Sequence, residues 1–141
     1  MSTVLQIYEA IDRLAPFFLS MDFDNTGILV GDRQKKVERA LLALDCTKEV
    51  LRQAKELGAQ LIITHHPIIF HPIKRVNEDS LVYHLLRSDI AVISAHTNLD
   101  IAQGGVNDLL AKRIGLSDCR GLQPMDAQGT FFLGRVGSLP E

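Results

Sequence analysis

The sequence predicts an α/β domain: a mostly parallel or mixed sheet flanked by helices. Segments of strand character alternate along the chain with segments of helical periodicity, the order expected of βαβ units. Two strand segments, residues 61–63 and 90–95, are apolar and rich in β-branched residues without polar alternation, as strands buried on both faces are. The bulk numbers agree. With 141 residues, 46% hydrophobic and 23% charged, the chain suits one compact domain. A chain of this size buries roughly two thirds of the surface that its unfolded form exposes.

Thr3 is placed to cap a first helix, whose apolar residues Val4, Ile7, Tyr8, Ile11 and Leu14 recur at helical spacing and which Pro16 ends. Glu9, Asp12 and Arg13 fall on its polar face. After a loop over 21–26, residues 27–30 form a short strand and 37–44 a longer one. Thr47 caps a helix through Leu57, with Gly58 as its stop. The strand from Leu61 follows, then a loop holding Pro67 and Pro72, a helix over 79–87 and the strand from Ile90. Gly104 and Gly105 introduce a helix to Arg113, with Gly115 past its end. Residues 117–128 read as a polar loop and 129–136 as a last strand. There is no internal repeat, low-complexity tract or linker, so residues 1–141 are expected to form a single α/β domain. Ending just past a strand, without a closing helix, the chain is expected to be the N-terminal part of a longer protein.

A formal charge of −2 gives no basic footprint for nucleic acid. Cys46 and Cys119 lack the paired spacing of a zinc ribbon or redox motif and read as idle thiols. No signal peptide opens the chain, and no apolar run approaches the ~20 residues that span a bilayer. A cytoplasmic setting with no membrane contact is the expectation.

The chemistry is concentrated at two strand ends. His65 and His66 close the run from Leu61, and His96 and Asp100 follow the run from Ile90. In a parallel sheet this is the edge where side chains meet ligands. Imidazole and carboxylate are the donors that divalent transition metals favour, and a catalytic site keeps about three protein ligands with one position open. His65, His66 and Asp100 supply that inventory. Consecutive residues of an extended chain point to opposite sides, so the histidine pair suits two ions a few ångström apart better than one. Pro67 biases His66 away from helical angles.

Each position has a plainer alternative. The histidine pair can be hydrogen-bonded loop residues, and Asp100 can cap the turn before the Gly104 helix. His96 is open between proton transfer or support of a ligand, a structural hydrogen bond, and direct ligation. His71 is near enough to approach a substrate but reads better as surface, and His84 reads as a helix residue; Asp45, at a strand end, can face the same crevice but reads better as part of the Asp45-Cys46-Thr47 capping turn. Gly104-Gly105 at a helix start can admit a phosphate, but a plain turn is the better reading. Asp24-Asn25-Thr26-Gly27 is a turn by composition, with no task assigned.

Taken together, the motifs at residues 23–31, 64–70 and 95–100 resemble the Nif-three-like family, also labelled GTP cyclohydrolase I type 2 homologs. The similarity extends through Asp45, the helix start at 104–108 and residues 134–137. Phe23 stands where a tryptophan is common in the family. The resemblance implies a Nif-three-like α/β fold with a dinuclear divalent-metal centre, His65 and His66 each serving a different ion and Asp100 one of them. The family's remaining ligands, a histidine and a bridging glutamate near its C-terminus, are absent from this chain. Zinc, manganese or iron suit the imidazoles better than magnesium does. The resemblance further implies a metal-dependent hydrolase acting on a nucleotide-like substrate, with His96 as catalytic proton carrier, and a homo-oligomer, a hexameric ring in the family. The alternative function is a metal-responsive scaffold or regulatory module that binds a protein partner without turnover.

Overall fold

The computed structural model describes residues 1–139. In chain order the elements are β1 (Ser2–Thr3), α1 (Val4–Leu14), a 3-10 turn (Phe17–Leu19), β2 (Gly27–Val30), β3 (Lys36–Val37), β4 (Ala40–Ala43), α2 (Lys48–Glu56) and β5 (Leu61–Thr64). They continue as α3 (Leu81–Arg87), β6 (Ala91–Ser94), α4 (Thr97–Ile101), α5 (Val106–Arg113), β7 (Ser117–Pro124) and β8 (Phe132–Ser138). The central sheet has the order β2-β6-β5-β4. β4, β5 and β6 are parallel and in register, Ala40 beside Leu61 beside Ala91 and Ala43 beside Thr64 beside Ser94. β2 runs antiparallel to β6, so the sheet is mixed.

Local chemistry starts the helices where the sequence places them. Thr3 Oγ1 accepts from the Gln6 amide at 3.2 Å while the Gln6 side chain accepts from the Thr3 amide at 2.9 Å, a reciprocal capping box. Thr47 accepts from the Val50 amide, and Ser80 from the Tyr83 amide, both at 3.1 Å. The two sheet faces bury separate clusters. On one, Ile62, Val92 and Val30 pack with Leu51 and Ala54 of α2 and Leu85 of α3. On the other, Leu61, Ala91 and Ile93 pack with Val4 of α1 and Val37. β5 and β6 therefore lie between two helical layers, and their apolar runs serve both faces.

Three expectations need correction. The strand expected over 37–44 is two pieces: β3 pairs with β1, and β4 joins the central sheet. Residues 117–128 are not a polar loop; Ser117–Pro124 is a strand that pairs antiparallel with β8, which itself spans Phe132–Ser138 rather than 129–136. Seven of the eight β7 residues are exposed, so no buried face wrote an apolar alternation into the sequence. Leu14 does not join the packed face of α1: it is exposed, and Ala15 is buried in its place.

Candidate metal centre

β5 ends at Thr64, but its hydrogen-bond ladder continues. The His65 amide donates to the Ala43 carbonyl at 3.3 Å, and the His66 amide to the Leu44 carbonyl at 2.9 Å. On the other side the Ala95 amide donates to the Thr64 carbonyl at 2.9 Å, which fixes the chain just before His96. Buried hydroxyls of Thr64 and Ser94, 2.8 Å apart, tie β5 to β6 directly beneath the histidines. The sheet thus delivers all three imidazoles to one spot. Their ring centroids lie 5.1 to 5.6 Å apart, and one ligand atom from each of His65, His66 and His96 lies within 4.8 Å of the others. The expected divergence of His65 and His66 does not hold, because the chain leaves extended geometry after Thr64 and both rings turn to the same side.

Each ring is oriented through Nδ1. His65 Nδ1 donates to the Ala95 carbonyl at 2.9 Å, His66 Nδ1 to Asp45 Oδ1 at 2.7 Å, and His96 Nδ1 to Asp24 at 3.0 Å. A carbonyl and two carboxylates accept only, so the neutral rings carry their protons on Nδ1 and leave the Nε2 lone pairs free. This is the supporting arrangement that metal-bound histidines commonly show. Asp100, on α4, brings a carboxylate oxygen to 3.4 Å from His65 Nε2. That is long for a hydrogen bond. It is close to the separation of two donors, each about 2.1 Å from one tetrahedral ion, which stand about 3.4 Å apart. Burial pushes the Asp100 carboxyl above its usual value, against the pull of His65 and His96. No hydrogen bond to this carboxylate is found among the described residues. The donor set fits a divalent cation, or a pair of them sharing the trio.

Two residues to which the sequence assigned no site role belong here. Asp24, in the loop before β2, has a side chain with no exposed surface. It accepts from His96, from the Thr97 hydroxyl at 2.5 Å and amide at 3.1 Å, and from the Asn25 amide at 2.8 Å. Asp45 holds His66, while capping of α2 falls to Thr47 alone. A weak signal for Asp45 was its place at the end of β4, beside the histidine strand. For Asp24 the signal was its place in the motif at residues 23–31, which assigned it no task.

The remaining candidates resolve as follows. Asp100 does not cap the turn before α5; the Gly104 amide there donates to Asp108, in the first turn of the helix, at 2.6 Å. A phosphate at that helix start would meet this carboxylate, so the turn is structural. His84 lies in α3, and His71 is exposed in the loop after β5. No helix of the described residues is long and apolar enough to cross a membrane.

Similarity to other proteins agrees with the fold. A Clostridium perfringens protein named GTP cyclohydrolase 1 type 2 homolog is 42% identical over 141 residues, covering 94% of this chain and 52% of its own length. A Halalkalibacterium halodurans protein of the same name is 41% identical over 135 residues, covering 93% of this chain and 36% of its own. The chain thus spans about half or less of the length of these relatives. Among solved structures, a Bacillus cereus protein related to NIF3 superposes with a TM-score of 0.83 at 40% identity, covering 87% of this chain and 35% of that one. Reduced HcgD from Methanocaldococcus jannaschii superposes with a TM-score of 0.85 at 34% identity, covering 96% and 54%. The family profile described as Duf34/NIF3 (NGG1p interacting factor 3) matches residues 2–141, and the chain belongs to that family.

Proposed function

We propose that the protein is a metal-dependent hydrolase whose site takes two divalent cations, with His65, His66 and Asp100 as this chain's ligands. The observation that supports it most is the convergence of three imidazoles whose Nδ1 atoms are all engaged, beside a half-buried carboxylate accepting no hydrogen bond among the described residues. Bound cations of this kind lower the pKa of a water and polarise the substrate. His65 and His66 are held in position by neighbouring strands, so little reorganisation is needed on binding. His96, braced by Asp24, receives and returns a proton at Nε2. The name shared by the curated relatives suggests a nucleotide-like substrate. Zinc, manganese and iron suit the donors. A reducing cytoplasm suits the free thiols Cys46 and Cys119.

Elemental analysis after dialysis against zinc or manganese, paired with a nucleotide hydrolysis assay, tests this proposal. The unaltered chain is expected to retain metal, and a His65→Ala, His66→Ala variant to lose it. His96→Ala is expected to keep metal while losing turnover. Equal metal content in all three chains would sink the proposal. Loss of metal in His96→Ala would instead make His96 a ligand.

A second reading, a scaffold that assembles or captures a protein partner without turnover, is favoured by one observation. The outer edge strand β4 and the residue just past it expose Leu42 and Leu44, 77% and 60% accessible, beside unpaired backbone. Self-association through such an edge is compatible with the hydrolase. Light scattering of the chain with and without metal distinguishes them: metal-dependent assembly with no hydrolysis of any nucleotide supports the scaffold alone.

A further inference from the structure

A crevice of about 470 Å³ opens beside His66, within the size range of small-molecule sites, roughly 300–1,000 Å³. His66 lines it and also belongs to the histidine trio, so the crevice reaches the trio at that ring. Its walls include Ile68, Ile69, Leu81 and Val82, all packed against the buried core behind them. Phe70 and Ile73 form an exposed rim. The wall segment is tied down at both ends, by Asp45 on His66 and by Asn25, whose side-chain amide donates to the Ile69 carbonyl at 2.5 Å. It is therefore a preformed cavity.

Its polar groups, apart from the exposed His71 at the mouth, are already engaged or inert. Asp45 holds His66, and Ser80 accepts the Tyr83 amide as the cap of α3. Burial pushes the Cys46 thiol up to about 11, so at neutral pH it is an uncharged wall atom and no nucleophile. No lysine or arginine lines the crevice among the described residues. A phosphate there would find no lysine or arginine, only the His66 and His71 imidazoles, and would face the Asp45 carboxylate. An apolar group would lose water on both sides and meet close-packed side chains.

We propose that this crevice receives the uncharged apolar arm, an aromatic ring or branched alkyl group, of a small ester or amide, or of the carboxylate that its hydrolysis releases, whose oxygen-bearing head lies at His65, His66 and Asp100. The proposal rests on the metal-centre reading above but not on its nucleotide-like substrate: the group beside the reacting end is apolar, and any phosphate lies elsewhere.

Methyl NMR of the isoleucine-labelled chain with zinc, titrated with 3-phenylpropanoate, acetate and inorganic phosphate, tests it. 3-Phenylpropanoate is expected to shift the Ile68, Ile69 and Ile73 methyl signals and to bind about tenfold more tightly than acetate, the factor expected from burying a few carbons. Ile73→Trp fills the rim and is expected to weaken that binding about tenfold, a size like that of the apolar gain itself. If this variant loses its dispersed spectrum, the comparison of the three ligands on the unaltered chain decides. Equal affinity for the two acids, unmoved wall methyls, or wall methyls that respond more strongly to phosphate each overturn the proposal. Zinc affinity is read separately by competition with a chromophoric chelator. A chain that takes no zinc yet shifts its wall methyls with 3-phenylpropanoate keeps the crevice and refutes the metal centre. Zinc uptake with no preference for the longer acid refutes the crevice alone.

Discussion

Asp24 shows how much of this site rests on a residue remote from it in sequence. Burial alone would raise its carboxyl pKa, but hydrogen bonds from the Thr97 hydroxyl, His96 and the Thr97 and Asn25 amides outweigh that and hold it below the ordinary 3.8. A carboxyl depressed on folding contributes stability that is fully present above its unfolded value and is lost as pH falls through the folded one. Asp24→Asn is therefore expected to cost about 1–3 kcal/mol at pH 7, the range for a hydrogen-bonded buried charge. The deficit should begin to shrink below about pH 4, where the unfolded carboxyl takes up a proton, and close once pH has fallen through the lower folded value. Urea unfolding of both chains at pH 7 and pH 3 reads this directly. Because His96 loses its brace, turnover should fall as in His96→Ala while zinc affinity is kept. His65, His66 and Asp100 could be singled out as candidates because their donor chemistry follows apolar runs. Asp24 could not: it lies 72 residues from His96, and no spacing rule connects a loop carboxylate to a ring delivered by another strand.

At the scale of elements, the junction between α4 and α5 fixes the height of Asp100. A Cβ built on Gly105 would lie 2.0 Å from the Leu99 carbonyl oxygen, so only glycine allows the two short helices to meet as they do. Gly105→Ala must push α4 away, at a cost of about 1–3 kcal/mol typical of overpacking. Thermal unfolding checks the stability, and a zinc titration is expected to show weaker binding, since Asp100 moves with α4. Unchanged zinc affinity in a destabilised variant would mean that Asp100 is not a ligand. The same region carries the ion pair of Asp108 with Arg135, which ties α5 to β8. The sequence read α5 correctly from its glycines but missed α4, whose five residues are too few to show a period. It missed β7 for a different reason: a strand exposed on nearly every residue has no apolar pattern, and only its pairing with β8 defines it.

For the molecule as a whole, the parallel core was the most legible part. Ile62, Val92 and their neighbours are buried on both sides, which demands the unbroken apolar runs that the sequence displays. The antiparallel placement of β2 was not legible, since four residues carry no sign of strand direction. A cation held by His65, His66 and Asp100 would bridge the end of β5 and α4, and so would add its binding free energy to folding. Zinc at about 100 times its dissociation constant is expected to contribute about 2.7 kcal/mol. For a chain of this size that raises the melting temperature by about 5–10 °C. Differential scanning calorimetry with zinc, and again after addition of EDTA, checks it; a shift that survives His65→Ala, His66→Ala arises from some other site.

The supports of the three rings also differ in kind. His66 and His96 lean on side chains, Asp45 and Asp24, that a single codon change can remove. His65 leans on the main-chain oxygen of Ala95, which every amino acid provides. One corner of the triangle is thereby inherited with the backbone and closed to tuning, while the other two are free to be adjusted by mutation.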